Sequence, residues 1–323
     1  MSRFIRWSLA LLFVLSAGIA QSAELGQFHF WLPNNTFAFE ANLTGFNSQG
    51  QDVAPDLNGR SLSADADQHR ILLTVHLDPE TDGLTAAQLR DAYLADFSAQ
   101  PVYLANVKTH ENGEIALLSY DLTGYEKVTG LNQANAFAWM VKDSTALFVH
   151  LSSVHARPDA EQVYDQVLSS LKIVDNYQPT SMDYLFFASW CYTREQYEHA
   201  ADFYQHALDL EKQKPELSHT LWRVTVDNLG MSYAFIDDPE KARATFVYGI
   251  TEDPEYPMFH YNLACYYAES KQLDSTIAEL SKAYEFKANM ISGEEFPDPW
   301  KDDSFKRYWN NKTFDRFMSK VTK

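Results

Sequence analysis

Ten histidines, two cysteines and 44 acidic side chains give this chain ample donors for metal or acid–base chemistry, so their spacing decides whether a site exists. His199 and His206 lie seven apart, with Asp202 between them at offsets of three and four, which places all three on one helix face. Catalytic zinc wants three convergent ligands, a tighter string such as H-E-x-x-H, a general base and an open coordination position. His199, Asp202 and His206 therefore read as surface residues of a helix. His150 and His155 stand at an odd separation and point to opposite faces if the strand between them continues. Ser152-Ser153 lacks the G-x-S-x-G context of a nucleophile elbow, and no G-x-G-x-x-G, P-loop or EF-hand string occurs. The acid pairs Asp65/Asp67 and Asp237/Asp238 fall in turn-like stretches, where solvated carboxylates are the rule. The expectation is a chain with no catalytic residue, no metal and no cofactor.

The elements that would position any site come in two kinds. At 323 residues and 37.0 kDa the chain is long for one domain, and 46% hydrophobic content supplies two cores. A net charge of −18 repels phosphate backbones and anionic headgroups, which excludes unaided nucleic-acid and membrane-surface binding. Residues 1–23 place Arg3 and Arg6 ahead of an apolar run over 7–17 and then small residues, the order of a secretory signal peptide. Cleavage fits after Ala20, Ser22 or Ala23. The apolar run is shorter than the roughly 20 residues that cross a bilayer, so no stable insertion is expected after cleavage. The expected destination is outside the cytoplasm, the periplasm ahead of secretion.

Residues 24–177 read as an α+β domain, an antiparallel sheet with packed helices. A short strand over 28–32 precedes the alternation of Phe37, Phe39, Ala41 and Leu43. The Gly-, Ser- and Asp-rich stretch 47–67 reads as a long loop, and 70–77 as a strand. Thr85 and Gln88 form a capping-box pattern for a helix over 85–99 whose face carries Leu89, Tyr93 and Phe97. Asn112-Gly113 predicts a type I′ hairpin between 102–110 and 114–123, and a second hairpin turns at 142–144. Pro158 and Asp159 open a helix with Val163, Val167, Leu168 and Leu171, and 172–175 closes the region as a strand. The expected order is three strands, helix, four strands, helix, strand, in two layers. That order, FVHLSS at 148–153 and SLKIVD at 170–175 resemble the PsbP-like α/β/α family. The resemblance implies protein binding and brings no shared catalytic residues. An alternative function, small-ligand or lipid binding by this domain, is suggested by the aromatic-rich strands around Phe137, Trp139 and Phe148. A third, an unrecognised hydrolase, would need a pocket with strongly shifted His or carboxylate pKa values.

Residues 180–290 repeat. Stretches beginning at Leu185, Asp227 and Tyr261 align so that Ala188, Gly230 and Ala264, and likewise Tyr204, Phe246 and Leu280, recur at intervals of 42 and then 34. The longer interval carries an eight-residue extension around residues 211–219. These positions resemble the tetratricopeptide (TPR) signature, with Tyr233 and Tyr267 three residues after the small residue, Ala200 and Ala242, then Ala207 and Ala283, on the second helices, and Pro254 ending the second repeat. Cys191, Thr276 and Gly249 depart from it. The resemblance implies three helix pairs, and Cys191 and Cys265 then fall two repeats apart, beyond the roughly 7 Å reach of a disulfide.

Residues 291–323 supply a capping helical segment with Phe305, Tyr308, Trp309, Phe314 and Phe317, since a solenoid's last pair exposes an apolar face. The family's groove positions fall on Leu185, Ser189 and Tyr192, on Asp227, Met231 and Ala234, and on Tyr261, Cys265 and Ala268. Of these, Ser189, Tyr192, Asp227, Met231, Tyr261 and Cys265 are the candidate peptide-binding groove, with ordinary packing between helices as the alternative. Asn228 matches one position of the family's carboxylate clamp, but Leu185, Met258 and Asn262 stand where cations are expected. The implied partner is therefore an apolar or basic protein segment, with Tyr192 and Tyr261 as anchors. Charge is uneven along the chain: residues 24–180 carry 8 basic and 20 acidic side chains, residues 181–300 carry 9 and 21, and residues 301–323 carry 7 and 3. That slightly basic end reads as a solvated face of the cap, with attraction to an acidic partner as its alternative. Together these features predict an exported, non-catalytic interaction or assembly factor.

Overall fold

The computed structural model describes residues 24–66, 68–79, 81–154 and 158–322, so the expected signal segment, Asp67 and His155 lie outside the described residues. Two compact units divide between Gln178 and Pro179. Among the described residues no helix is long and apolar enough to cross a membrane.

The first unit is one antiparallel sheet of nine strands: β1 (Glu24–Trp31), β2 (Phe37–Val53), β3 (Arg60–Ala66), β4 (Ile71–Asp78), β5 (Val102–Asn112), β6 (Ile115–Tyr125), β7 (Val128–Lys142), β8 (Thr145–Val154) and β9 (Lys172–Asp175). Their order is β1-β2-β3-β4-β8-β7-β6-β5, with β9 also on β2. The expected loop over 47–66 is instead the end of β2, a short connection over 54–59 and β3. In β3 the positions Arg60, Leu62, Ala64 and Ala66 are buried, alternating with Ser61, Ser63 and Asp65. This period-two pattern is written in small residues, which is why it passes for a loop. The 17-residue β2 serves three neighbours, with Ala38–Asn47 on β1, Phe37–Glu40 on β9 and Asn47–Val53 on β3.

Helix α1 (Ala86–Ser98) begins on the expected capping box, with Thr85 and Gln88 bonded reciprocally. It covers the face that presents Phe137, Trp139 and Phe148. Helix α2 (Pro158–Ser170) reaches the other face, where the Tyr164 hydroxyl donates to Ser153 Oγ at 2.9 Å. Phe148 and Ser153 stand at odd separation on an unbroken register, so the two helices lie on opposite faces and the unit has three layers rather than two. The hairpin turns also differ from expectation. Asn112 pairs with Ile115, leaving Gly113-Glu114 as the connection, and only Gly113 has positive φ (61°), a type II′ pattern. Asp143-Ser144, with φ of 45° and 67°, has the two positive φ values of type I′.

The second unit is helical: α3 (Ser181–Thr193), α4 (Tyr197–Gln213), α5 (His219–Phe235), α6 (Pro239–Glu252), α7 (Pro257–Glu269), α8 (Leu273–Glu285) and α9 (Lys312–Val321), each of α3 to α8 packed on the next. Three turns are built alike. Glu195, Asp237 and Lys271 take φ of 60°, 63° and 64°, and the next amide in each turn (Gln196, Asp238, Gln272) donates 2.9 Å back to the carbonyl of Cys191, Tyr233 and Tyr267. This is the closing bond of a helix C-terminal motif that favours glycine, adopted here by three other residues at the 42 and 34 spacing. Close approach within and between pairs is enforced by glycine. A Cβ on Gly230 would sit 2.3 Å from the Phe246 ring, and one on Gly249 would sit 2.8 Å from Phe259. Gly249, a departure from the repeat pattern, is thus required by packing. The extension in the first interval is stitched by buried Glu211, whose carboxylate accepts from the amides of Glu216 (2.9 Å) and Leu217 (3.1 Å).

Beyond α8 the chain forms short 3-10 turns at Lys287–Asn289 and Asp303–Tyr308 and then α9. Phe305, Phe314 and Met318 are fully buried against Tyr261, Cys265 and Leu280. Phe314 lies 34 residues after Leu280 and continues the series Tyr204, Phe246, Leu280, so the capping segment ends in a reduced fourth pair.

Candidate functional site

The helical unit holds a file of polar side chains across its first helices. Ser189 on α3 accepts from the Tyr204 hydroxyl at 3.3 Å, and Tyr204 accepts from Asn228 Nδ2 at 2.9 Å. One residue earlier on α5, Asp227 Oδ1 accepts from Asn262 Nδ2 of α7 at 2.7 Å. Among the described residues Asp227 Oδ2 and Asn228 Oδ1 have no hydrogen-bond partner, although Asp227 is 0% and Asn228 2% exposed. A buried acceptor left unpaired costs about 1–3 kcal/mol. Burial, reinforced by the Glu294 carboxylate and only partly offset by the Asn262 bond, pushes the Asp227 acid up to about 8. Glu294 is itself raised by burial, while its oxygens accept from the Tyr256 hydroxyl and the Ile291 amide.

One turn beyond Asp227, Met231 forms a wall of a cavity of about 230 Å³. Ala234, Pro239, Ala242, Phe246 and Tyr266 make the rest of its apolar lining, with Asn262, Glu269 and Ser270 as polar members. Asn262 therefore touches both the cavity and Asp227. Burial and the neighbouring carboxylates of Asp302 and Asp303 raise Glu269, against the pull of Arg307.

Of the six groove candidates, the structure brings Ser189, Tyr192, Asp227 and Met231 to this region. Tyr192 is partly exposed, and Asp227 lies within electrostatic reach of its hydroxyl. Tyr261 and Cys265 go elsewhere: the Tyr261 hydroxyl donates to Asp302 Oδ2 at 2.9 Å, Cys265 Sγ lies 3.8 Å from the same oxygen, and the Phe296 and Phe305 rings pack 5.7 Å from Tyr261. With Tyr261 at 1% exposure, both belong to the core beneath the C-terminal segment and offer no open anchor. Asn262, Tyr266 and Glu269 were the residues missed as site members. Tyr266, Glu269 and Ser270 stand at helical offsets of three and four at the end of α7, a signal that outlines a face but not a hollow.

The other candidates have structural places. His206 Nδ1 donates to the Asp202 carbonyl at 2.8 Å, and its ring stacks on Tyr184. Among the described residues no group of three or more His, Cys, Asp or Glu side chains could hold a metal. His150 stacks 4.2 Å over Phe137, and burial together with His76 pushes it down to about 4, a neutral interior histidine. Phe137, Trp139 and Phe148 pack against Tyr93 of α1. Cys191 and Cys265 are buried free thiols, and burial pushes Cys191 up to about 12, far from a nucleophile's range.

No family model and no curated protein matches the chain. Among solved structures it is similar to PcrH from Pseudomonas aeruginosa, at 15% identity over 44% of this chain and 92% of that one with a TM-score of 0.31. The Cut9-Hcn1 hetero-tetramer of the APC/C aligns at 18% identity over 47% and 26%, TM-score 0.33. Cyanobacterial PsbP from Synechocystis sp. PCC 6803 aligns at 14% over 47% and 94%, TM-score 0.32.

Proposed function

We propose that the protein is a non-catalytic interaction or assembly factor, exported to the cell envelope, whose helical unit is a TPR-like solenoid that binds an apolar or basic protein segment. The repeated left-handed turns at Glu195, Asp237 and Lys271 and the Gly230–Phe246 contact support the solenoid. The carrying observation for binding is the cavity between the second and third helix pairs, bounded by Met231, Ala234, Phe246 and Tyr266. Apolar hollows with a few convergent polar groups are the usual form of a recognition site. Ala234 is partly exposed, so Ala234→Trp fills the hollow from its open side. Pull-down from envelope extract by this variant is expected to lose the partner that the natural chain recovers, at unchanged helical content. Equal recovery would show that the cavity is not the binding site.

A further inference from the structure

Two features of the helical unit remain without a role in its own packing: the unpaired acceptors Asp227 Oδ2 and Asn228 Oδ1, and the adjoining cavity of about 230 Å³. Asn262 joins them, bonding Asp227 and lining the cavity, and Met231 lines the cavity one turn beyond Asp227. An acceptor without a donor on a buried face calls for a donor from outside, and a carboxylate calls for a charged one. The local field agrees, since residues 181–300 carry 9 basic against 21 acidic side chains and Glu269 stands on the cavity wall. Arg223, one turn before Asp227 on α5, is already engaged: its Nε donates to Asp253 at 2.6 Å and its guanidinium to the Asn289 carbonyl at 3.1 Å. An apolar cavity of about 150 Å³ accepts benzene, so one of 230 Å³ has room for one leucine- or phenylalanine-sized side chain.

Resting on the groove assignment above, we infer that this face recognises a segment carrying a cationic group, a lysine, an arginine or a terminal amine, beside one large apolar side chain, with Asp227 taking the cation. The groups that face Asp227 are Tyr192 from α3, Tyr204 from α4, Tyr256 before α7, Asn262 from α7 and Glu294 from the C-terminal segment. Among the described residues none of these groups is a cation that would compete with the incoming charge. Tyr192 is partly exposed.

Ionised Asp227 is the form that binds. Its acid is pushed up to about 8 in the unliganded protein, so binding releases a proton at neutral pH and affinity rises with pH.

The test is titration calorimetry of the full chain with capped hexapeptides that differ only in a central pair: Lys-Phe, Glu-Phe or Lys-Ser. Lys-Phe is expected to bind about twenty-fold more tightly at pH 8.5 than at pH 6.5. Asp227→Asn, nearly isosteric and free of the charge, is expected to lower that affinity at least about ten-fold and to flatten its pH dependence. Glu-Phe binding as tightly as Lys-Phe, or full affinity in Asp227→Asn, overturns the cation site. If such binding is still abolished by Ala234→Trp, the groove itself stands. Absence of binding by every peptide, or self-association that occludes Ala234, overturns both.

Discussion

One buried carboxylate in each unit marks a contrast: Glu40 is held by three side-chain partners, and Asp227 keeps one oxygen unpaired. In the sheet unit Glu40 is buried, which alone would raise its acid, but bonds from Lys172, Gln27 and His29 outweigh burial and hold it below the usual carboxylate range. His150 in the same unit is kept neutral. The partners of Glu40 come from far along the chain, as where Lys172 of β9 returns to β2. In the helical unit Asp227 is fully buried with one oxygen unpaired, next to an apolar hollow. A stack of helix pairs leaves such gaps more readily, because each pair packs only on its neighbours. Glu40 is held ionised by partners of its own unit, whereas Asp227 keeps an unpaired oxygen and the cost that goes with it.

Four substitutions sharpen or break this contrast. Asp227→Asn has the largest expected effect. A folded-state pKa near 8 against 3.8 unfolded means that the folded state keeps a proton the unfolded chain has lost. The penalty is absent below the unfolded value, grows as pH rises through the window between 3.8 and about 8, and is full above it. Urea unfolding is expected to show the variant on the order of 4 kcal/mol more stable than the natural chain above pH 8 and near parity at about pH 4. A difference independent of pH would contradict the assignment. Phe314→Ala opens the core under the C-terminal segment and is expected to cost about 3–4 kcal/mol, read as lost hydrogen-exchange protection first in α8 and α9. Protection unchanged there would mean that the reduced fourth pair does not cap the stack.

Gly230→Val drives a side chain into the Phe246 ring and is expected to cost about 2 kcal/mol in denaturant titration. No loss would argue against enforced close approach. Lys271→Gly relieves a left-handed residue and is expected to gain about 0.5–1 kcal/mol, visible as a small rise in midpoint.

Legibility in the sequence followed side-chain size. The 42 and 34 intervals were readable because Gly230 and Phe246 are unusual residues held in one contact, whereas β3 hid because its buried positions include Ala64 and Ala66 among serines. The Asn112-Gly113 signal marked a hairpin but not its phase, since Asn112 could also pair with Ile115. Phe314 escaped the repeat series because the helix that should precede it has shrunk to the turn at Asp303–Tyr308, leaving no small residue to align. For the site, groove positions supplied Asp227 and Met231 but not their surroundings. Tyr261 and Cys265 occupy equivalent repeat positions yet lie under a segment that a repeat pattern does not describe.

The most direct test of the contrast is the titration of the Asp227 carboxyl carbon by nuclear magnetic resonance in the full chain, with and without the Lys-Phe peptide. A midpoint near 8 is expected for the protein alone, falling toward the ordinary carboxylate range when the peptide is bound. A midpoint in the ordinary range without peptide, unmoved by its addition, would contradict it.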